Sequence, residues 1–431
     1  MLTVALCFLG LIVLILLGFP IFVAICLVGG VATVASGDSL LLVVTNVFGG
    51  IDSFSLMAIP LFILAGFVMT ECNITERLVD LSDALVGRFR GSLGHVNILS
   101  SMFFASIQGS GVATTAAIGP IMIPAMIKQR YDKDYAVAVT ASAAVIGPII
   151  PPSIAMIMFS YYTGLSVAKL FLGGLVPGIL VGLGLMGVNA VYCRIRGYDA
   201  VPQAHGAKSI LRSVVRSLGG LLIPVIIVVG IAGGYFTPTE SGAAAVIYGL
   251  AYGLLSGRLK PHRLPAVLIG AARTTAVVMI VLAVSKVFAN VLVRAKFQQV
   301  VVEHIVDGIG NPYAATLVIM GLLIFLGSFL DPTVLITMFA TTVAAVGDSL
   351  GFDPVHYAVL MAVTMLTGAL TPPVGSMLFV ACSIAGLPIE RSVRALLPFF
   401  AVLLIVAIAV LLIPQLVLIP AGWVDVTAAG P

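Results

Sequence analysis

Long apolar stretches separated by short polar joints run the length of the chain. Those near Leu2–Gly18, Ile21–Ser36, Leu56–Glu71, Leu170–Cys193, Leu222–Phe236, Ala243–Leu255, Thr274–Val293 and Ala395–Ile419 are long enough, some only just, to cross a bilayer as helices. Part of this pattern occurs twice. Residues 131–177 and 352–398 align without a gap at a shift of about 221 positions, the signature of an internal repeat. The first copy carries Asp132, Gly147, Pro151, Pro152, Met156, Leu175 and Pro177; the second carries Asp353, Gly368, Pro372, Pro373, Met377, Leu396 and Pro398. In each copy a double proline interrupts a long apolar run. Backbone freed from helical bonding at membrane depth survives only within protein or beside an aqueous cavity. Paired interruptions in two halves are therefore the best sequence pointer to a transporter's binding site.

The pattern predicts an all-α polytopic membrane protein of two inverted repeats, each with a re-entrant helical hairpin and a broken transmembrane helix. Residues 1–73 form the scaffold helices of the first half, and an amphipathic arm at 74–92 follows, suited to an interfacial position. Residues 93–193 form the first transport unit: a hairpin over His95–Ile127 that turns at Gly109-Ser110-Gly111, a broken helix and a closing helix. A cytoplasmic linker, 194–218, leads to scaffold helices at 219–293, a second arm at 294–310 and a second transport unit at 311–420. That unit's hairpin turns near Gly327–Asp331. Residues 421–431 are a tail, and the Arg and Lys spacing in the linker suggests a surface helix.

Composition agrees. The chain is 61% hydrophobic and 9% charged, against roughly a quarter charged in soluble domains, which leaves no room for a sizeable soluble domain. The first apolar stretch has no basic residue before it and no small-residue cleavage site, so no removable signal peptide is expected. Cys7, Cys26, Cys72, Cys193 and Cys382 fit neither a disulfide framework nor a metal cluster. Lys and Arg collect in cytoplasmic loops. With the N-terminus outside and five crossings plus one hairpin per half, the bases from Arg77 to Lys133, Arg194 to Arg273, and Arg391 and Arg394 all fall inside. Only Lys169, Arg294 and Lys296 fall outside, while Lys286 lies within a helix, and both termini are periplasmic. The net charge of +4 is thus a topology signal, with no nucleic-acid partner implied.

Several motifs carry a resemblance. Ile59-Pro-Leu-Phe-Ile-Leu-Ala-Gly66, Arg90-Gly-Ser-Leu-Gly-His-Val-Asn97, Gly109-Ser-Gly-Val-Ala113, Ile150-Pro-Pro-Ser-Ile154, Phe236-Thr-Pro-Thr-Glu240, Phe329-Leu-Asp-Pro332 and Thr371-Pro-Pro-Val-Gly375 occur in one order. Together they resemble the large membrane subunit of TRAP (tripartite ATP-independent periplasmic) transporters, the DctM-like permeases, from about residue 5 to 415. The resemblance implies a bacterial inner-membrane importer of organic acid anions such as a C4-dicarboxylate or sialic acid, coupled to sodium and of elevator type. It implies a small membrane subunit and a periplasmic substrate-binding protein as partners. No cofactor is expected beyond sodium as the coupling ion. Two departures bear on substrate: Met377 stands where many members have Asn, and Gln108-Gly-Ser-Gly-Val-Ala-Thr114 stands where Ser-Gly-Ser-Ala-Val-Ala-Asp is common. Both remove polar or acidic groups near the cavity.

The chemistry of the turns fits ion and anion binding. Glycines at the first tip permit close approach, and carbonyls of Gly109 and Ser110, the Ser110 hydroxyl and the break at Gly147 make a candidate sodium site, with Ser106 one turn before. By symmetry Gly327, Ser328 and Asp331 face Gly368 and Thr371 as a second. Asp331 precedes Pro332 and Thr333, so it reads first as a helix N-cap and also as a sodium ligand, and the two roles are compatible. Ser110, Thr114, Ser153 and Ser376 are candidate substrate contacts, the last two lying where helices restart and serine is also a common cap. An unpaired Lys286 at membrane depth costs roughly 2.5–3.5 kcal/mol on insertion scales, so it pairs with a neighbour, meets the small subunit or snorkels, in preference to binding substrate. Other classes fare worse. His95, His205, His262, His304 and His356 lie at helix ends or loops, and no Gly-x-Ser-x-Gly or His-Glu-x-x-His motif occurs, so no enzyme is expected. A channel needs no paired inverted breaks. A stand-alone sodium/anion symporter without a binding protein is the nearer alternative.

Overall fold

A computed structural model describes residues 2–198 and 207–424. His205, part of the 194–218 linker and most of the 421–431 tail, with the C-terminus itself, lie outside the described residues. Those described are helical, without strands. Six helices among them are long and apolar enough to cross a membrane, or seven if Ser55–Glu71 and Ile74–Val86, bent by 73°, count as one span.

The first half runs through Leu2–Leu16, Ile21–Ala35, Leu40–Gly49, Ala58–Glu71 and the arm Ile74–Val86. The first hairpin follows as Ser92–Gln108 and Gly111–Lys128, then the first broken helix as Lys133–Ala144 and Ile154–Thr163, then Val167–Arg196. The second half runs through Ala207–Ala232, Pro238–Leu255 and Leu264–Arg294 to an arm whose first turn, Phe297–Val301, passes into a π-helix at Val302–Asp307. Its hairpin is Pro312–Gly327 and Pro332–Ser349, and its broken helix Pro354–Gly368 and Ser376–Ala385. Ile389–Leu412 and Gln415–Ala421 close the order.

Three details differ from the sequence reading. Leu40–Gly49 is an additional short helix, opened by the Ser39 hydroxyl accepting from the Leu41 N–H at 3.2 Å and packed on Leu264–Arg294. The linker's surface helix and the scaffold helix expected from 219 are one element, Ala207–Ala232. Gly219 and Gly220, placed at the joint, instead let this helix close on Tyr252 and Ile74, where an added Cβ would lie 2.2 and 2.5 Å from their side chains. The last helix ends at Leu412, before Pro414, and a separate turn continues to Ala421.

The halves interlock in two layers. In the scaffold, Pro238–Leu255 packs on Ala58–Glu71 and Leu264–Arg294 on Ile21–Ala35, so each half's helix finds its partner in the other half. The arm Ile74–Val86 buries Ile74, Leu78 and Leu81 against Ser92–Gln108 and Ala207–Ala232, and the Arg77 guanidinium donates to the Arg216 carbonyl at 2.6 Å. In the transport layer, Ser376–Ala385 packs on Gly111–Lys128 and Lys133–Ala144, while Ile154–Thr163 packs on Pro332–Ser349. Each restarted helix thus lies against the opposite hairpin. The exchange brings both tips and both breaks to one place.

Candidate substrate and ion site

At the first tip, Ser92–Gln108 ends on Gly109 with φ +66°, a left-handed conformation that favours glycine. A Cβ there would sit 2.1 Å from the Pro152 carbonyl oxygen, so glycine is also required for the tip to reach the break. The Ile154 N–H donates to the Gly109 carbonyl at 3.3 Å across that contact. Ser110 caps the returning arm, its hydroxyl accepting from the Ala113 N–H at 3.4 Å. Its carbonyl accepts both the N–H and the hydroxyl of Thr114, at 2.9 and 2.8 Å.

The second tip repeats the scheme with different contacts. Gly327 and Gly368 meet backbone to backbone, a Cβ on Gly327 falling 2.8 Å from the Gly368 Cα. The Ser328 carbonyl accepts from the Val374 and Gly375 N–H groups at 3.0 and 3.4 Å, binding tip to break. Asp331 is a helix cap, accepting from the Thr333 N–H at 2.9 Å. Both broken helices tighten before they stop. The N–H groups of Val145, Ile146 and Gly147, and of Ala369, Leu370 and Thr371, reach carbonyls three residues back, as in a 3₁₀ turn.

Four helix N-termini face a cavity of about 60 Å³ between these parts. Its wall includes Gly111 and Val112 of the first returning arm, Asp331 to Thr333 of the second, Ile154 and Ala155 of one restarted helix, and Met377 of the other. The first turn of a helix presents unpaired N–H groups and the positive end of its dipole, so the arrangement suits negative charge. A larger cavity, about 660 Å³, extends from Gln108, Ser110, Asp331 and Thr333 to the scaffold at Ile21, Phe22, Phe67, Thr70, Thr274 and Val281. Phe67 and Thr70 occupy the last turns of Ala58–Glu71, so the cavity reaches toward the end marked by the Glu71–Arg263 ion pair at 3.8 Å. Neither cavity has a Lys, Arg or His in its lining.

Of the residues singled out from sequence, Gly109, Ser110 and Asp331 line these cavities. Ser106, Thr114, Gly147, Ser153, Gly327, Ser328, Gly368, Thr371 and Ser376 are not in either wall. The hydroxyls of Ser106 and Ser328 donate to Phe103 and Phe325 at 2.7 Å, and that of Thr371 donates to the Gly368 carbonyl. Gly147 lies behind the first tip, where a Cβ would sit 2.9 Å from the Thr114 hydroxyl. Ser153 is a fully buried cap: its hydroxyl donates to the Pro148 carbonyl and accepts from the Met156 N–H at 3.1 Å. Ser376 differs, because Gly375 is the cap and the Ser376 hydroxyl is buried with no hydrogen-bond partner among the described residues. Lys286 has a neighbour, its ammonium lying 5.8 and 5.6 Å from the ring centres of Tyr161 and Tyr162.

Thr70, Thr274 and Thr333 line the larger cavity without having been singled out from sequence. Thr333 carried a signal, since it follows the cap and proline that open a helix at the tip. Thr70 and Thr274 carried none, because their exposure to the site depends on how scaffold helices from two halves meet. Gly66, the last residue of the Ile59–Gly66 motif, admits Gln108: a Cβ there would lie 2.8 Å from the Gln108 Cγ.

Residues 8–416 match the family described as "Tripartite ATP-independent periplasmic transporter, DctM component". An uncharacterized protein YgiK of Salmonella typhimurium is 39% identical over 86% of this chain and 85% of its own length. The C4-dicarboxylate TRAP transporter large permease protein DctM of Pseudomonas aeruginosa is 35% identical, over 91% and 92% respectively. The YdaH transporter of Alcanivorax borkumensis, a crystal structure, superposes with a TM-score of 0.62 over 95% of this chain and 99% of that one, at 13% identity, a likeness of fold alone. The family match spans nearly the whole chain and agrees with the membrane helices and paired breaks, so the chain belongs to the DctM component family of TRAP transporters.

Proposed function

We propose that this permease imports organic acid anions across the inner membrane, coupled to sodium, with the hairpin unit moving against the scaffold as an elevator. The observation that carries the reading is the meeting of four helix N-termini at one small cavity without a cationic side chain. An anion held there is stabilised by backbone dipoles, and a bound cation nearby adds to that stabilisation. The tips and breaks supply carbonyls for such a cation around Gly109, Ser110 and Gly147 and around Gly327, Ser328, Gly368 and Thr371, with the Asp331 carboxylate at the second tip. Substrate reaches the site from a periplasmic binding protein, and a small membrane subunit joins the scaffold, as the tripartite family description suggests. The segregation of Lys and Arg to alternate loops supports a cytoplasmic position for those loops and a periplasmic N-terminus.

Reconstituted with both partners, the permease should accumulate an organic acid only down a sodium gradient, with uptake sigmoidal in sodium. Full uptake in sodium-free medium overturns the coupling. Robust uptake by this chain alone establishes the stand-alone symporter in its place.

A further inference from the structure

Resting on that reading of the site, we infer that the cargo is a monocarboxylate with an apolar body, and that doubly charged and polyhydroxylated acids are disfavoured by this chain's own walls. Charge placement is the first ground. Four helix N-termini meet at the smaller cavity against one, that of Ile21–Ala35, on the scaffold side of the larger, and the single formal charge in the lining of either cavity is that of Asp331, which is negative. One carboxylate at the N-termini is compensated. A second, a few carbon atoms away, projects into the larger cavity, where no cationic side chain waits.

The larger cavity's wall is the second ground. Phe22, Phe67, Val278 and Val281 face it, and on the scaffold side Thr70 and Thr274 are its hydroxyl-bearing residues. Gln108, Ser110, Asp331 and Thr333 can pair polar groups only at the hairpin end, so a polyhydroxylated body that reaches the scaffold face meets two hydroxyls there, and each further group desolvated without a partner weakens binding. A branched or aromatic body instead gains contact area on the same surface.

Met377 is the third. It is 2% exposed, it lines the smaller cavity, and its methyl group lies against Gly111, where a Cβ would come within 2.2 Å of Met377 Cε. An adaptable thioether at that point fills the space beside the carboxylate position and provides no strong hydrogen bond. Met377 and Val278 border the smaller cavity together and act as the selectivity-determining pair.

The test reads binding at the permease itself, so that a binding protein's own preferences do not enter. Purified permease with its small subunit in nanodiscs is melted with 4-methyl-2-oxopentanoate, succinate or gluconate, in sodium or in choline. The monocarboxylate should stabilise the permease at a concentration at least tenfold lower than either competitor, and only in sodium. Met377→Asn and Val278→Ser should narrow that gap, whereas Met377→Leu, which preserves an apolar wall, should keep it. Sodium-dependent stabilisation by succinate or gluconate at equal or lower concentration overturns this inference and leaves the proposed function standing. No sodium-dependent stabilisation by any of the three overturns both. A gap unchanged in the folded Met377→Asn and Val278→Ser variants removes the pair from its selective role.

Discussion

The two halves share one order of elements and meet the scaffold differently. In the second, the returning arm Pro332–Ser349 packs along Leu264–Arg294, with Thr333 and Val278 in one small wall. In the first, the returning arm Gly111–Lys128 stands away from Ala58–Glu71, and the larger cavity occupies the gap. Ala58–Glu71 touches the inbound arm Ser92–Gln108 instead, through Gly66 and Gln108. A near-symmetric chain thus holds one closed and one open contact at once. On the proposed mechanism, transport exchanges which half is open, and the scaffold need not change shape.

The sharpest way to break this comparison is to spoil a tip. Gly109→Val adds bulk where a Cβ alone already falls 2.1 Å from the Pro152 carbonyl, and Gly368→Val adds it against Gly327. Both should lower uptake by roughly a hundredfold or more with insertion intact, since misplacement near 1 Å has that effect on a positioned site. Uptake within a few-fold of the unmodified protein, at equal membrane content, means the tips do not need their close approach.

Cross-linking separates the closed contact from the open one. In a protein freed of its five native cysteines, the pair Val278→Cys and Thr333→Cys should oxidise readily and stop uptake until reduced, because both side chains line one small cavity. Thr70→Cys with Ala116→Cys faces across the gap and should bond only during turnover with sodium and substrate. Equal yields for the two pairs at rest contradict the asymmetry.

A smaller effect distinguishes the two serines near the double prolines. Ser153→Ala removes a cap and should lower stability by about 1 kcal/mol. Ser376→Ala removes a hydroxyl that has no partner among the described residues and should leave the melting transition in place, or raise it slightly. The smallest change is expected at the Arg294–Asp38 pair, 2.6 Å apart with the arginine half-exposed. Arg294→Gln should alter stability by about 0–1 kcal/mol, less at high salt, as denaturant titration can measure.

Much of the frame was legible in the chain. The double prolines fall where Lys133–Ala144 and Pro354–Gly368 give way to new helices at Ile154 and Ser376, since proline cannot continue a helical ladder. The hairpin turns fall at Gly109-Ser110 and Ser328–Asp331, as the glycines and the Asp-Pro step suggested. Leu40–Gly49 was not legible, because ten residues are too few to span and its two polar ones, the adjacent Thr45 and Asn46, make no repeating stripe to mark a surface helix. The continuity of linker and scaffold helix across residue 219 was not legible, because Gly219 and Gly220 pack closely on Tyr252 and Ile74, which sequence does not reveal. Within the site, Gly109, Ser110 and Asp331 of the hairpin tips were named from the chain and line the cavities, whereas the residues of the scaffold wall were not named. The first are written in local backbone chemistry, the second only in how two halves cross.

The scaffold helices are unequal in length, and the lipid around them must respond. Ile21–Ala35 has 15 residues, about 23 Å, whereas its partner Leu264–Arg294 has 31, about 46 Å. A hydrocarbon core near 30 Å matches neither. Beside the short helix the bilayer thins, while the long helix tilts or extends beyond the core, each at a modest cost per ångström. On the proposed elevator mechanism, a cargo lifted past the short wall would cross a locally pinched membrane, and acyl-chain length would become a setting of the carrier's stroke.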